Sequence, residues 1–121
     1  MKVAELEGAL LDYWVARAQE VDGVFVRGKY CFYRSRGADF IYSPSVDWAQ
    51  GGPISERRGI TATNNVAIGR WKWHATETFS PYLENDWIGG DTQLIAAMRA
   101  VVRDEFGDEV PEMDAQPGSA G

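Results

Sequence analysis

The stretch TQLIAAMRAVVRDEFG, residues 92–107, decides the fold because it predicts a long amphipathic helix with recognisable ends. Either Asp91 or Thr92 is suited to cap its first turn, and Gly107 ends it after Phe106. The apolar face is formed by Ile95, Met98, Val102 and Phe106, with Leu94 and Val101 at its edges. Such a face has to be buried against other elements, so the rest of the chain must supply a packing partner.

A second amphipathic helix is predicted near the N-terminus, over residues 6–18. Leu11, Trp14 and Val15 fall on one side of it at helical spacing, and Gly23 follows as a stop signal.

Between the two helices the sequence favours short strands. Residues 24–33, VFVRGKYCFY, are rich in β-branched and aromatic side chains and predict either one strand or a hairpin that turns at Gly28. Residues 40–41 predict another short strand, and residues 60–67 are ambiguous.

The stretch from Trp71 to Thr76 alternates apolar and polar residues, as in a half-buried strand with His74 on the polar side. Residues 79–90 contain Pro, Asn, Asp and Gly and predict a loop. Two main helices with a small antiparallel sheet give an α+β fold of the α-β-α sandwich type. We expect one domain over residues 1–110 and a flexible, acidic, Pro- and Gly-rich tail over residues 111–121.

The net charge of −6 is concentrated near the C-terminus. Residues 104–121 hold six acids and no Lys or Arg, so residues 1–103 balance 12 acids against 12 bases. A duplex-binding domain has a basic excess, so duplex nucleic acid is not an expected partner. The apolar runs are too short to span a bilayer, which excludes a membrane protein. The poor signal peptide and the single Cys31 predict a reducing, cytoplasmic location.

The central segment YSPSVDWAQGGPISERRGI, residues 42–60, has no clear helical or strand period. It combines turn-forming residues, the aromatic residues Tyr42 and Trp48, and charged side chains. It is therefore either a structural turn packed against the core or a loop that contacts a ligand or partner. In the second case, Gly51 and Gly52 would let the backbone approach an anion or a ring closely. The candidate ligand-binding residues are Tyr42, Ser43, Asp47, Trp48, Gln50, Gly51, Gly52 and Arg57, with Arg99 from the last helix.

No strong catalytic motif is present. His74 is the only histidine, and Cys31 lies in an apolar run that favours burial. One His and one Cys do not make a structural zinc site. We therefore expect no catalytic residue, no metal ligand and no cofactor. An enzyme acting on nucleotides would need a general base that the sequence does not identify, and loss of turnover on substitution of His74 or Asp47 would be the evidence for one.

Three stretches carry a family resemblance: YSPSVDWAQGGPISE at residues 42–56, TQLIAAMRAVV at residues 92–102 and FGDEV at residues 106–110. With the opening ELEGALLDYWVARA at residues 5–18, they resemble the NinX-like family of small phage and prophage proteins. The resemblance implies a phage-encoded accessory protein in the host cytoplasm and supplies no catalytic mechanism.

Small accessory phage proteins often counter host defence, some of them by sequestering nucleotide immune signals. By that analogy we expect a non-enzymatic protein that binds a nucleotide-derived small molecule, such as a cyclic oligonucleotide or cyclic ADP-ribose. The alternative is an interaction module that inhibits or redirects a host protein through loop tryptophans and the acidic tail. Because exposed aromatics on a small domain often mark an interface, we also expect a homo-oligomer.

Overall fold

The structure is a computed structural model, and it describes residues 1–64, 71–77 and 87–112. The possible Asn64-Asn65 turn, most of the loop predicted over residues 79–90 and most of the acidic tail lie outside these residues.

Three α-helices form: α1 over Gly8–Ala18, α2 over Trp48–Arg57 and α3 over Gln93–Phe106. A single 3-10 turn, Val3–Glu5, precedes α1. The first and last helices confirm the sequence prediction, including Thr92 as the cap of α3, whose Oγ1 accepts from the Ile95 N–H at 3.1 Å. Helix α2 was not predicted.

The first sheet consists of β1 (Val24–Arg27), β2 (Tyr30–Ser35) and β3 (Ala38–Ile41), all antiparallel and in that order. The hairpin alternative is therefore correct for residues 24–33. Phe25 pairs with Phe32, which in turn pairs with Ile41, so these three side chains share one face. Val26 and Cys31 face the other way and are buried.

The second sheet consists of β4 (Ile60–Thr63), β5 (Trp73–Glu77) and β6 (Ile88–Gly90), again antiparallel in that order. Strand β6 lies within the stretch that the sequence assigned to a loop. The α+β class is confirmed, with the strands arranged in two small sheets rather than one.

Helix α3 is the central element of the packing. It contacts α1, α2 and all three strands of the second sheet, whereas α1 contacts β1 and β2 of the first sheet. The core therefore runs from the first sheet through α1 and α3 to the second sheet. Met98, Val101 and Val102 of α3 are fully buried in it.

The ends of the described chain pair with each other. The Met1 ammonium donates to the Val110 carbonyl at 2.9 Å, and the Val110 N–H donates back to the Met1 carbonyl at 2.9 Å. The Val3 N–H donates to the Asp108 carbonyl at 2.9 Å. Residues 108–110 are thus tied into the fold and do not belong to a free tail.

One prediction about β5 is wrong. His74 and Thr76 were placed on a polar, half-exposed side, but they are only 4% and 1% exposed. Ala75 on the opposite side is also fully buried, so both sides of the strand are covered. Alternation in sequence does not distinguish a solvated polar face from a buried one.

Candidate ligand-binding cleft

The central segment forms a tight turn followed by helix α2. The Val46 and Asp47 N–H groups both donate to the Ser43 carbonyl, at 3.1 and 2.9 Å. Asp47 then caps the helix, because its Oδ1 accepts from the Ala49 N–H at 3.0 Å. A short polar side chain at this position is the usual start of a helix, although the Gly-Gly-Pro sequence that follows is unfavourable inside one.

Gly51 is needed inside the protein. A Cβ there would overlap the Pro44 carbonyl oxygen and would lie 2.8 Å from Leu94 Cδ2. The Gly51 N–H donates within the helix to the Asp47 carbonyl at 2.8 Å. At Gly51 the backbone therefore packs closely against Pro44 and Leu94 of the same chain. The contact of an anion with the Gly51 backbone stays a prediction, and its N–H already has a partner within the helix.

Gln50 completes the open edge of β3. Its side-chain Nε2 donates to the Ile41 carbonyl at 3.3 Å, and its Oε1 accepts from the Ser43 N–H at 2.8 Å. The side-chain amide therefore takes the place of a neighbouring strand at residues 41–43. Gln50 and Ser43 hold the turn in position, and this pairing occupies both ends of the Gln50 amide.

Tyr42 and Ser45 lie beneath this turn with Asp12 of α1. The Ser45 N–H donates to Asp12 Oδ1 at 2.9 Å. Burial raises the pKa of Asp12 to about 6 against the lowering effect of the Ser45 hydrogen bonds, and burial also raises the pKa of Tyr42 to about 12. Tyr42 is 9% exposed, so its ring belongs to the core.

Arg99 has a structural role within the fold. It is 4% exposed, its Nε donates to the Leu6 carbonyl at 2.8 Å, and its Nη1 donates to the Gly89 carbonyl at 2.7 Å. Its guanidinium lies 5.3 Å from the ring centroid of Trp71. Burial lowers the pKa of Arg99. These donors join α3 to the first turn of the chain and to β6, and the ligand contact of Arg99 stays a prediction.

The remaining candidates reach the surface. Trp48 is 55% exposed, Arg57 is exposed and Gly52 is half-buried. Trp48 and its neighbour Val46, 72% exposed, form one wall of a cleft of about 420 Å³. The cleft is lined by Ser45, Val46, Trp48, Lys72, Trp73, Asp91, Thr92, Gln93 and Leu94.

Two helices begin at this cleft. Trp48 is the first residue of α2, and Gln93 is the first residue of α3. In the described part of the chain, the Gln93 and Leu94 N–H groups donate no hydrogen bond, as is usual for the first residues of a helix. Helix starts carry partial positive charge. The Lys72 ammonium adds a full positive charge to the lining, and Asp91 adds one carboxylate.

Sequence reasoning found only one wall of this cleft. It identified Trp48 but missed Lys72, Trp73 and Gln93, because they lie far from the central segment in sequence. The Thr92 cap was the one available signal, since it marks the start of the second helix.

The described residues offer no centre for catalysis by a metal or a thiolate. No three His, Cys, Asp or Glu side chains among them are grouped so that they could hold a metal ion. Burial raises the pKa of Cys31 to about 12, so its thiol stays protonated. His74 is buried, and its Nδ1 has no hydrogen-bond partner. Nor does any helix in residues 1–64, 71–77 and 87–112 have the length and apolar character needed to cross a membrane.

No curated protein matches this sequence. The model of the family described as "Bacteriophage P22, NinX" matches residues 2–105, which include α1, both sheets, the cleft and all of α3 except its last residue. The chain therefore belongs to the NinX family of phage proteins.

Proposed function

We propose that this protein is a phage accessory protein that binds and sequesters a nucleotide-derived small molecule in the cleft beside Trp48. The observation that carries the proposal is the convergence of an exposed tryptophan, a lysine and two helix starts on one cavity of about 420 Å³. That volume is in the range of small-molecule sites in proteins.

The rings would hold the base. Trp48 is exposed and Trp73 is half-buried, and both line the cleft. Stacking of a base on an aromatic ring contributes about 1–3 kcal/mol and accepts any base. The cleft thus has the apolar component that a nucleotide needs.

The helix starts and Lys72 would hold the phosphate. The N–H groups of Gln93 and Leu94 are the kind of donors that bind phosphate at helix N-termini. Lys72 would neutralise the charge, and Asp91 would accept hydrogen bonds from sugar hydroxyls or base amino groups. In this proposal the phosphate binds at the start of α3 and not at Gly51 and Gly52, where the sequence predicted it.

Sequestration without turnover fits the residues that line the cleft. They include no His or Cys, and their one carboxylate, Asp91, lies beside the start of a helix. The phage family membership makes a nucleotide immune signal of the host, such as a cyclic oligonucleotide or cyclic ADP-ribose, the ligand class to test first. By this proposal the protein works in the host cytoplasm and counters defence by removing that signal.

Thermal shift and calorimetry with a panel of mononucleotides, cyclic oligonucleotides and cyclic ADP-ribose test this function. A ligand of the folded state at 100 times its Kd stabilises it by about 2.7 kcal/mol, so the melting temperature must rise. Trp48→Ala and Lys72→Ala should each weaken binding at least tenfold. Arg57→Ala, which removes an exposed cation outside the cleft, should leave binding unchanged. The proposal fails if no panel member shifts the melting temperature at saturating concentration.

Two further expectations are tested in the same series. Chromatography of the reaction mixtures would reveal turnover, and a product formed by the purified chain but absent with His74→Ala or Asp47→Ala would make it an enzyme. Light scattering measures the mass of the particle in solution, and a mass of at least twice the 13.5 kDa of one chain would establish the expected homo-oligomer.

A further inference from the structure

We infer that the solvent-facing side of the first sheet is a docking surface for an acidic, apolar segment of another protein. We call this side the outer face. It is formed by Phe25, Arg27, Tyr30, Phe32, Arg34, Asp39 and Ile41. None of these residues lines the cleft. If the protein acts as an interaction module, the outer face is where we expect its partner to bind.

The outer face is apolar and open. Tyr30 begins the central strand β2 and is 56% exposed, and Ile41 ends the edge strand β3 and is 50% exposed. Ile is among the residues most often buried in folded proteins. Phe25 and Phe32 are half-buried and stack at 5.6 Å between ring centroids. Helix α1 packs against β1 and β2 on the opposite side, where Val26 and Cys31 are buried.

The Arg27 guanidinium lies over the rings of Phe25 and Phe32, and most of its N–H donors have no acceptor within the part of the chain that the structure describes. Its guanidinium carbon lies 5.0 Å from the centroid of Phe32 and 5.5 Å from that of Phe25. The guanidinium forms a long ion pair with Asp39, whose Oδ2 lies 3.6 Å from Arg27 Nη2. Arg34 donates two hydrogen bonds to the same carboxylate, from Nε at 2.7 Å and from Nη2 at 3.3 Å.

Two guanidinium groups therefore share one carboxylate. The Arg27 side chain is 64% exposed and is positioned by ring contacts, so little conformational entropy is lost when it binds. A planar fork of donors fixed in this way suits a carboxylate, which accepts two parallel hydrogen bonds from it.

The net positive charge of residues 22–41, which form the first sheet and its turns, favours an acidic partner. Residues 22–41 contain four cations, Arg27, Lys29, Arg34 and Arg36, against the two acids Asp22 and Asp39. This region carries a charge of +2 in a chain whose net charge is −6. A second copy docked through the same face would bring like charges together, which opposes self-association there.

The rings favour a polypeptide over a single-stranded nucleic acid. The faces of Phe25 and Phe32 are turned toward each other, with an interplanar angle of 20°, and toward the Arg27 guanidinium. A base would have to displace that guanidinium in order to stack. An apolar side chain can instead rest on the ring edges, Tyr30 and Ile41 while a carboxylate meets Arg27.

Selection of random twelve-residue peptides displayed on phage, with the immobilised full chain as the bait, tests the inference. We expect the selected peptides to combine Asp or Glu with apolar residues. Synthetic copies should shift the backbone NMR signals of residues 25–41. Arg27→Ala should weaken their binding at least tenfold, Arg27→Lys should weaken it less, and Arg57→Ala should not change it. Because Arg27 is exposed and outside the core, the variants should keep the wild-type NMR spectrum elsewhere.

Several results would overturn the inference. One is a selection that yields no peptides enriched over the Arg27→Ala bait, or peptides whose signals map away from the first sheet. Another is Arg27-dependent binding of a ten-residue oligothymidylate in the absence of peptide binding. A third is concentration-dependent dimerisation that Arg27→Ala abolishes. None of these measurements uses the cleft, so they stand apart from the test with nucleotides.

Discussion

The carboxylate of Asp12 in α1 accepts a hydrogen bond of 2.9 Å from the backbone N–H of Ser45, a residue that also lines the cleft. Both residues are buried, with Asp12 at 5% and Ser45 at 1% exposure. This contact ties the turn before α2 to the core. It also places an ionisable group directly beneath one wall of the candidate site.

That ionisable group makes stability depend on pH. Burial raises the pKa of Asp12 from 3.8 to about 6. Since the pKa is higher in the folded chain, the stabilising contribution of Asp12 is complete below pH 3.8 and is lost as the pH rises through about 6. A difference of this size is worth on the order of 2–3 kcal/mol. The Asp12→Asn chain, which keeps an oxygen for the Ser45 N–H, should be more stable than wild type by up to this amount at pH 7.5. Urea unfolding at several pH values should show the advantage shrinking to near zero at pH 4. An advantage that is independent of pH would contradict the assignment.

Two adjacent glycines in α2 should respond to alanine to very different extents. At Gly51 a Cβ overlaps the Pro44 carbonyl oxygen, so Gly51→Ala should lower the free energy of unfolding by about 2–3 kcal/mol. At Gly52 the nearest atom to a Cβ is Trp48 Cε3 at 3.6 Å, an ordinary contact. Alanine favours a helix, but a Cβ on the residue before Pro53 contacts the proline ring, so Gly52→Ala should change the free energy of unfolding by less than about 1 kcal/mol. Thermal unfolding of both variants measures the difference, and equal effects would count against the packing of α2 on the turn.

Arg58 joins the ends of all three helices. Its Nη2 donates to the Ala18 carbonyl at 2.6 Å, and its Nε donates to Gln19 Oε1 at 2.8 Å. Its other nitrogen contacts are to Asp104 and Glu105, each at 3.4 Å. Arg58→Ala should lower the free energy of unfolding by about 1–3 kcal/mol, mostly through the lost hydrogen bonds to the end of α1. The neighbouring Arg57 is exposed, so Arg57→Ala should change stability by less than about 0.5 kcal/mol. If the two variants unfold alike, Arg58 does not have this role.

The sequence predicts the parts of this fold whose signals are local. Helix α3 has a capping Thr92, a periodic apolar face and Gly107 at its end, and all three appear where they were expected. The hairpin around Gly28 is likewise a local feature. Helix α2 was missed because Gly51, Gly52 and Pro53 are poor helix formers, although Asp47 is a good cap. Its stability comes from packing on Pro44 and Leu94, which no local pattern reveals.

The candidate site was predicted only in part for a similar reason. Trp48 was identified because an aromatic residue in a segment of turn formers suggests recognition. The opposite wall comes from β5 and from the start of α3, and only the tertiary fold brings Lys72 and Gln93 to Trp48. Arg99 was a candidate because a cation beside an apolar helix face can anchor a carboxylate or phosphate. In the folded chain two backbone carbonyls and the Trp71 ring surround it instead.

The role of Arg99 leads to the last prediction, which separates structure from binding. Arg99→Met keeps much of the side-chain volume but removes the donors to the Leu6 and Gly89 carbonyls. Two buried carbonyls without a partner should lower the free energy of unfolding by about 2–5 kcal/mol in total. Arg99→Lys keeps a charge but lacks the planar fork, so it should recover only part of that loss. Trp48→Ala, by contrast, removes an exposed ring and should leave the melting temperature of the free protein nearly unchanged while it abolishes the shift produced by a ligand. Thermal unfolding with and without nucleotide compares the three variants directly. If Arg99→Met were as stable as wild type but failed to bind nucleotide, then Arg99 would belong to the site and the cleft beside Trp48 would be the wrong location for it.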